Sequence, residues 1–183
     1  MNMTVYCGAS AGKDPIFSQK TSALGSWLAA HDITLVYGGG RTGLMGILAD
    51  AVLDGGGSVI GVIPKFLKTP EEVHTSLTQL ITVETMRQRK DTMLRLGDAF
   101  LALPGGAGTL EEIVEAISFA RLGQHDKPCM LYNIGGYYDY LEKLFGHMED
   151  KGFLTERVRK KAQFVTSIAD IADRLHIEQG VCR

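Results

Sequence analysis

Residues 99–112 read AFLALPGGAGTLEE. A run of apolar residues, Ala99–Leu103, passes directly into Pro104-Gly105-Gly106-Ala107-Gly108 and then into Thr109-Leu110-Glu111-Glu112, which can open a helix. A strand that is apolar at every position, not at alternate ones, is covered on both faces, as strands of parallel sheets are. The stretch ITLVYGGGRTGLMG at 33–46 repeats the plan of apolar strand, glycine turn and helix.

Outward from these two units the pattern continues. Strands are expected at Met3–Cys7, Ile33–Tyr37, Ser58–Ile63, Gln79–Val83, Ala99–Leu103, Cys129–Tyr132 and Gln163–Thr166. Helices are expected at Pro15–His31, Gly43–Leu53, Thr85–Leu96, Thr109–Leu122, Tyr137–Lys151 and Ile168–Ile177. Asp14 is placed to cap the first helix, with Pro15 at its first position. Gly55-Gly56-Gly57 stops the second. So regular an alternation predicts an α/β fold: a Rossmann-like, doubly wound parallel sheet of about six or seven strands with helices on both faces. No repeat, low-complexity segment or linker interrupts the 183 residues, and a single domain over 1–183 is expected. Ligands of such sheets bind beyond the carboxyl ends of the strands.

Composition narrows the function classes. Apolar residues make up 45% and charged residues 22%, as in water-soluble globular proteins. A net charge of −2 offers no general attraction to nucleic acid or to anionic lipid, so neither is an expected partner and any phosphate must be bound locally. No apolar stretch approaches the roughly 20 residues that cross a bilayer. MNMTVYCGAS lacks a basic region followed by an apolar run, so no secretory signal is expected. Cys7, Cys129 and Cys182 are odd in number and widely spaced, which suits reduced thiols in a cytoplasmic protein. His31, His74, His125, His147 and His176 have no metal-ligand spacing, and neither a metal nor another cofactor is expected.

The loop at 38–46 contains G-x-G-x-x-G in the register Gly38, Gly40, Gly43. Its context opposes a dinucleotide: it belongs to the second strand–helix unit, and the next strand ends without the acidic residue that holds a ribose 2′-hydroxyl. No G-K-[ST] follows, so it is no P-loop either. The loop at 104–109 is better suited to an anion, because its glycines let backbone N–H groups crowd around a phosphate at a helix start. Thr109 and Glu112 also spell T-x-x-E, a capping box in which both side chains would merely satisfy amides of the helix start. Two such loops on one sheet suggest a nucleotide between them, with Ser10, Gly39 and Gly40 as candidates for a phosphate or ribose loop.

TMRQRKDTMLRL at 85–96 gathers Arg87, Arg89, Lys90 and Arg95 on one helix. The plain reading is a solvated face with Glu84 and Asp91 as partners, and Met86, Met93, Leu94 and Leu96 supplying the buried positions. Together with CGAS at 7–10, YGGGRTGLMG at 37–46, GVIP at 61–64, EEVH at 71–74, LPGGAGTLEE at 103–112 and LGQHDKP at 122–128, however, this segment resembles the LONELY GUY family of cytokinin riboside 5′-monophosphate phosphoribohydrolases, which are often mislabelled lysine decarboxylases. The specific signature is M-H-x-R-K followed by P-G-G-x-G-T-x-x-E; the family's usual histidine is Arg87 here. The resemblance implies that Arg89 and Glu112 are the catalytic pair. It further implies that the substrate, a purine nucleoside 5′-monophosphate, is bound by Glu71, Arg89, Lys90, the stretch Gly106, Ala107, Gly108, Thr109, Leu110, Glu111 and Glu112, and by Ser118, and that the chain works as a homodimer or larger assembly with the site near the subunit contact.

The chemistry suits those residue types. Breaking a purine–ribose bond builds positive charge on the sugar, as in glycoside hydrolysis, and a carboxylate can stabilise it and orient water. Glu112 is the candidate, and a place in the first helical turn would favour its ionised form. Arg89 is always charged, so its expected work is to orient Glu112 and hold ribose or phosphate oxygens. Amides of Gly106–Thr109 would hold the 5′-phosphate, making the plain nucleoside a poor substrate. No residue stands out as the acid for the leaving base. On the helix after the loop, Ile113, Val114 and Ile117 form the expected buried stripe, with Glu111, Glu115 and Ser118 on another face. Lysine decarboxylation would need a lysine marked for pyridoxal phosphate, and none is evident. A non-catalytic nucleotide or cofactor carrier would share the glycine loops but would not need Arg89 and Glu112.

Overall fold

The computed structural model describes residues 1–69 and 72–177. Seven strands run in the order β1 (Asn2–Tyr6), β2 (Thr34–Tyr37), β3 (Val59–Pro64), β4 (Gln79–Val83), β5 (Ala99–Ala102), β6 (Cys129–Tyr132) and β7 (Ala162–Val165). Between and after them lie α1 (Pro15–Ala30), α2 (Gly43–Asp54), α3 (Met86–Leu96), α4 (Ala107–Arg121), α5 (Asp139–Asp150), α6 (Glu156–Arg159) and α7 (Ile168–Arg174). The strands form one sheet in the spatial order β4-β3-β2-β1-β5-β6-β7, and every pairing is parallel. This is the expected Rossmann-like architecture.

The continuous apolar strands divide their side chains between two cores. Met3 and Val5 of β1 face Leu24 and Leu28 of α1, Leu44, Leu48 and Val52 of α2 and Ile171 of α7. Tyr6 points the other way, toward Met93 of α3, Ile113 and Ile117 of α4, and Tyr138 and Phe145 around α5. Each fully buried leucine or isoleucine in these layers contributes about 1.5–3 kcal/mol. Helices on both faces explain why β5 is buried along its whole length. The strand order reverses between β1 and β5, and their carboxyl-end loops, which begin at Cys7 and Leu103, lie side by side: the Gly8 N–H donates to the Pro104 carbonyl at 3.1 Å. The crevice of a doubly wound sheet opens at such a reversal.

Several boundaries differ from expectation. Asp14 caps α1 as anticipated, accepting a hydrogen bond from the Ile16 N–H. α4, however, starts at Ala107, two residues before the expected Thr109. β7 ends one residue early, and α5 begins at Asp139 after a 3-10 turn at Ile134–Gly136, where the Asn133 side chain accepts from the Tyr138 N–H. The four-residue α6 was not anticipated; it is too short for an apolar period and is started by Thr155, which accepts from the Val158 N–H. In α4 the buried stripe is Ile113, Ala116 and Ile117, whereas Val114 is exposed. Met86, expected to be buried, is also exposed, because it stands at the free start of α3. Among the described residues, no helix is long and apolar enough to cross a membrane.

Candidate active site

α3 begins in a reciprocal capping box. The Thr85 hydroxyl accepts from the Gln88 N–H, and Oε1 of the Gln88 side chain accepts from the Thr85 N–H. Farther along, the Met93 carbonyl accepts from the buried Thr4 hydroxyl of β1, which ties the helix to the sheet. So anchored, α3 projects Arg89 across the ends of the strands. The Arg89 Nε–H donates to the Val62 carbonyl of β3 at 3.0 Å, and Nη1 donates to Oε1 of Glu112 at 2.9 Å. Its guanidinium rests on the bare backbone of Gly38, where a Cβ would overlap Nη2. Val62, Gly38 and Glu112 thus hold the fork of donors in one plane, so little freedom remains to be lost when a ligand binds.

Glu112 does not belong to a cap. The N-cap of α4 is Gly106, Thr109 lies inside the helix, and the glutamate falls in the second turn with its carboxylate on Arg89. The capping-box reading of Thr109 and Glu112 is therefore corrected: the glycine turn tightens two residues earlier than the T-x-x-E spacing suggests. The expected help of the first turn to ionisation is corrected with it. Both side chains of the pair are nearly enclosed, at 12% and 10% exposure. Burial pushes the Glu112 pKa above the ordinary glutamate value, and the attraction of Arg89 opposes this without cancelling it.

Lys90, the next residue, reaches α4 on both sides of Glu112, at the residue before it and about one turn after it. Its ammonium donates to Glu111 at 2.6 Å and to Glu115 at 3.2 Å. The hydrogen bond it donates to Glu111, seconded by that to Glu115, raises the Lys90 pKa. The solvated pairing expected with Glu84 and Asp91 is not what these cations make; Glu84 instead pairs with Lys65.

The pair closes one side of a cleft of about 310 Å³. Its walls are Cys7, Gly8 and Ala9 from the loop after β1, Met45 and Met86, and Gly106, Gly108, Thr109, Glu111 and Glu112 from α4 and its entry. Gly106, Gly108 and Thr109 set the start of α4 in the cleft wall, and the leading N–H groups of a helix, which have no partner within it, can receive an anion. A neighbouring cavity of about 310 Å³ shares Gly8, Ala9 and Gly106 and is walled by Ser10, Phe17, Leu44, Pro104 and Tyr137. Burial pushes the Cys7 thiol well above the ordinary cysteine value, so it supplies no thiolate.

The sequence-predicted residues separate accordingly. Arg89, Gly106, Gly108, Thr109, Glu111 and Glu112 line the cleft; Lys90 flanks it, and Ala107 is exposed at its rim. Leu110 is half-buried against the core, so only its backbone can serve the loop. Ser10 lines the neighbouring cavity. Gly39 and Gly40 are buried, with their carbonyls accepting from the His74 N–H and the Tyr37 hydroxyl. Ser118 lies about 9 Å farther along α4 than Glu112, given a rise of 1.5 Å per residue. Glu71 falls outside the described residues. Sequence reasoning did not anticipate Met45 in the wall, the Val62 carbonyl or the seat offered by Gly38. The Val62 contact is a backbone atom and leaves no mark on the sequence; for Gly38 the signal is the glycine run after an apolar strand, which allows a close approach without saying of what. Among the described residues no three His, Cys, Asp or Glu side chains are grouped so as to hold a metal ion.

Residues 45–175 match the family model described as "Possible lysine decarboxylase". The chain is 47% identical over 161 residues to a cytokinin riboside 5′-monophosphate phosphoribohydrolase of Rhodococcoides fascians, covering 87% of this chain and 81% of that one. It is 43% identical to a protein of Oryza sativa subsp. japonica named a probable enzyme of the same activity, over 96% of this chain and 85% of that one. Among solved structures, the molybdenum cofactor binding protein of Rippkaea orientalis superimposes with a TM-score of 0.73 at 19% identity, covering 96% and 94% of the two chains. The molybdenum cofactor carrier protein of Chlamydomonas reinhardtii gives 0.72 at 22%, covering 96% and 98%. At those identities the structural likeness speaks to the fold alone. The extent of the sequence match, which spans both the β2–α2 and β5–α4 units, makes the chain a member of the LONELY GUY family of cytokinin riboside 5′-monophosphate phosphoribohydrolases.

Proposed function

We propose that this protein hydrolyses the N-glycosidic bond of purine nucleoside 5′-monophosphates, AMP or its N6-modified forms, to the free base and ribose 5-phosphate. The observation that carries the reading is the Arg89–Glu112 pair, 2.9 Å apart and nearly enclosed, beside the unpaired N–H groups at the start of α4. The 5′-phosphate is held by the Gly106–Thr109 amides, and its binding energy sets the sugar in place. Arg89 orients Glu112 and hydrogen-bonds ribose oxygens. Glu112, when ionised, faces the anomeric carbon, stabilises the positive charge that develops there and orients the attacking water. A nearly enclosed site strengthens both effects, because screening by water is weak. The thioethers of Met45 and Met86 give the base an apolar wall.

Residues 1–183 act as one domain, since both cores are built on the same sheet. A homodimer follows from the family resemblance and suits the outer face of α4, where Val114 and Leu122 are exposed on either side of Ser118. The reaction is placed in the cytosol, where Cys7 and Cys129 would stay reduced. Mass determination in solution tests the first point: twice 19.9 kDa supports the dimer, and the monomer mass refutes it. For the activity, the protein is incubated with AMP, N6-isopentenyl-AMP and adenosine, and products are separated by chromatography. Free base and ribose 5-phosphate from the monophosphates alone support the proposal. Tight binding of AMP without turnover would favour a carrier.

A further inference from the structure

The histidine of the EEVH stretch has no part in the chemistry above, yet it is one of the most constrained side chains near the site. His74 is only 10% exposed and is engaged on both ring nitrogens. The Ser76 N–H approaches Nδ1 at 3.2 Å, so Nδ1 must offer a lone pair. The proton therefore sits on Nε2, which donates to Oδ1 of Asp50 on α2 at 2.9 Å. One ring thus ties α2 to the segment at 72–76.

That segment is itself paired with the loop after β2. The His74 N–H donates to the Gly39 carbonyl at 3.0 Å, the Arg41 N–H donates to the Glu72 carbonyl at 2.9 Å, and Gly40 and Val73 form an antiparallel bridge. The loop so held presents Gly38 to the guanidinium of Arg89, with no room for a single carbon between them. We infer that His74 is a positioning residue: by clamping residues 72–76 between α2 and the Gly38–Arg41 loop, it keeps Gly38 seated against Arg89 and thereby fixes the Arg89–Glu112 pair. The inference rests on the activity proposed above. It assigns His74 no contact with substrate.

The exposed side of the clamp is Asp50, whose side chain is 64% accessible, so its hydrogen bond with the neutral ring adds little to global stability and the effect of the clamp is local. His74→Ala, His74→Gln and Asp50→Ala are compared with the parent protein for turnover of AMP, thermal midpoint and amide exchange of residues 38–46. In His74→Ala, kcat is expected to fall about tenfold with KM within about twofold, because a small misplacement of a catalytic group costs rate more than binding. Exchange over 38–46 quickens while the thermal midpoint moves by only a few degrees. Glutamine, which can both donate and accept, restores most of the rate and the protection. Unchanged kcat and unchanged exchange in His74→Ala overturn the inference, as does a loss that merely follows the folded fraction. Should His74→Ala not fold, Asp50→Ala removes the acceptor of the Nε2 proton and opens one side of the clamp, and unaltered exchange over 38–46 in that variant overturns it equally. If the parent protein turns over no nucleotide, the activity reading fails, and exchange over 38–46 still decides for or against the clamp.

Discussion

After β2 the chain turns through Gly38, Gly39 and Gly40 with protein atoms on every side. After β5 it turns through Gly105 and Gly106 into Ala107 and Gly108 at the edge of a cleft. In the first turn a Cβ on Gly38 would overlap Arg89, and one on Gly40 would come within 2.7 Å of the Met45 methyl. In the second, Gly105 is packed against Thr109, but a Cβ on Gly106 or Gly108 would meet nothing within 4 Å. Glycine is thus used for opposite ends. One turn gives its bare backbone to other parts of the protein, and so seats Arg89. The other leaves space and unpaired N–H groups for something that is not protein. The G-x-G-x-x-G spacing belongs to the turn that packs, which is why the motif misleads when read alone.

The sharpest contrast can be broken at the residue that faces the open turn. Glu112→Gln keeps the size and a hydrogen bond to Arg89 but removes the charge that stabilises the sugar cation. Turnover of AMP should fall by about 10³-fold, within the range for a positioned acid–base group, while the binding constant measured by calorimetry changes little. A parallel loss of folding would restore a purely structural role for this carboxylate. Arg89→Met should cost about 10²-fold in kcat/KM. It also tests the electrostatics. Burial raises the Glu112 pKa and Arg89 lowers it, so activity that requires the carboxylate should fade on acidification at a pH above the ordinary glutamate value. Removing Arg89 should move that acid limb upward; a pH–rate profile that stays put, or moves down, contradicts the coupling.

At the packing turn, Gly38→Ala should lower kcat roughly tenfold by displacing the guanidinium, with KM almost unaltered in steady-state assays. The open turn should behave in reverse. Gly108→Ala puts a methyl group where the phosphate is to sit, so KM should rise a few-fold. The folded state should gain up to about 1 kcal/mol in urea denaturation, because alanine is the better helix residue. If both alanines acted alike on kcat and KM, the division between the turns would be mistaken.

Much of this arrangement is legible in the sequence, for reasons that can be named. The strands are visible because a doubly covered sheet makes them apolar throughout, as at AFLAL and ITLVY. The cap at Asp14 and the stop at Gly55 are local rules and hold in the structure. Arg89, Lys90 and Glu112 could be singled out by family resemblance. Their partners were harder, since contacts between residues 89 and 112, or 90 and 115, depend on how α3 lies beside α4. The start of α4 was misplaced because T-x-x-E is a local signal, and the glycine turn with its tertiary neighbours overrode it. Val114 and Met86 were read as buried from spacing alone; their exposure reflects which flank of each helix the sheet covers. The raised pKa of Glu112 could not be read at all, because it comes from burial that only packing reveals.

The central claim is that the start of α4 holds a phosphorylated sugar so that Arg89 and Glu112 face its anomeric carbon. A crystal structure of the Glu112→Gln protein with AMP tests it most directly. The account predicts phosphate oxygens on the amides between Gly106 and Thr109, and a water hydrogen-bonded to the Gln side chain about 3–3.5 Å from C1′, in position for attack. Phosphate bound elsewhere, or a side chain at 112 turned away from the sugar, would contradict it.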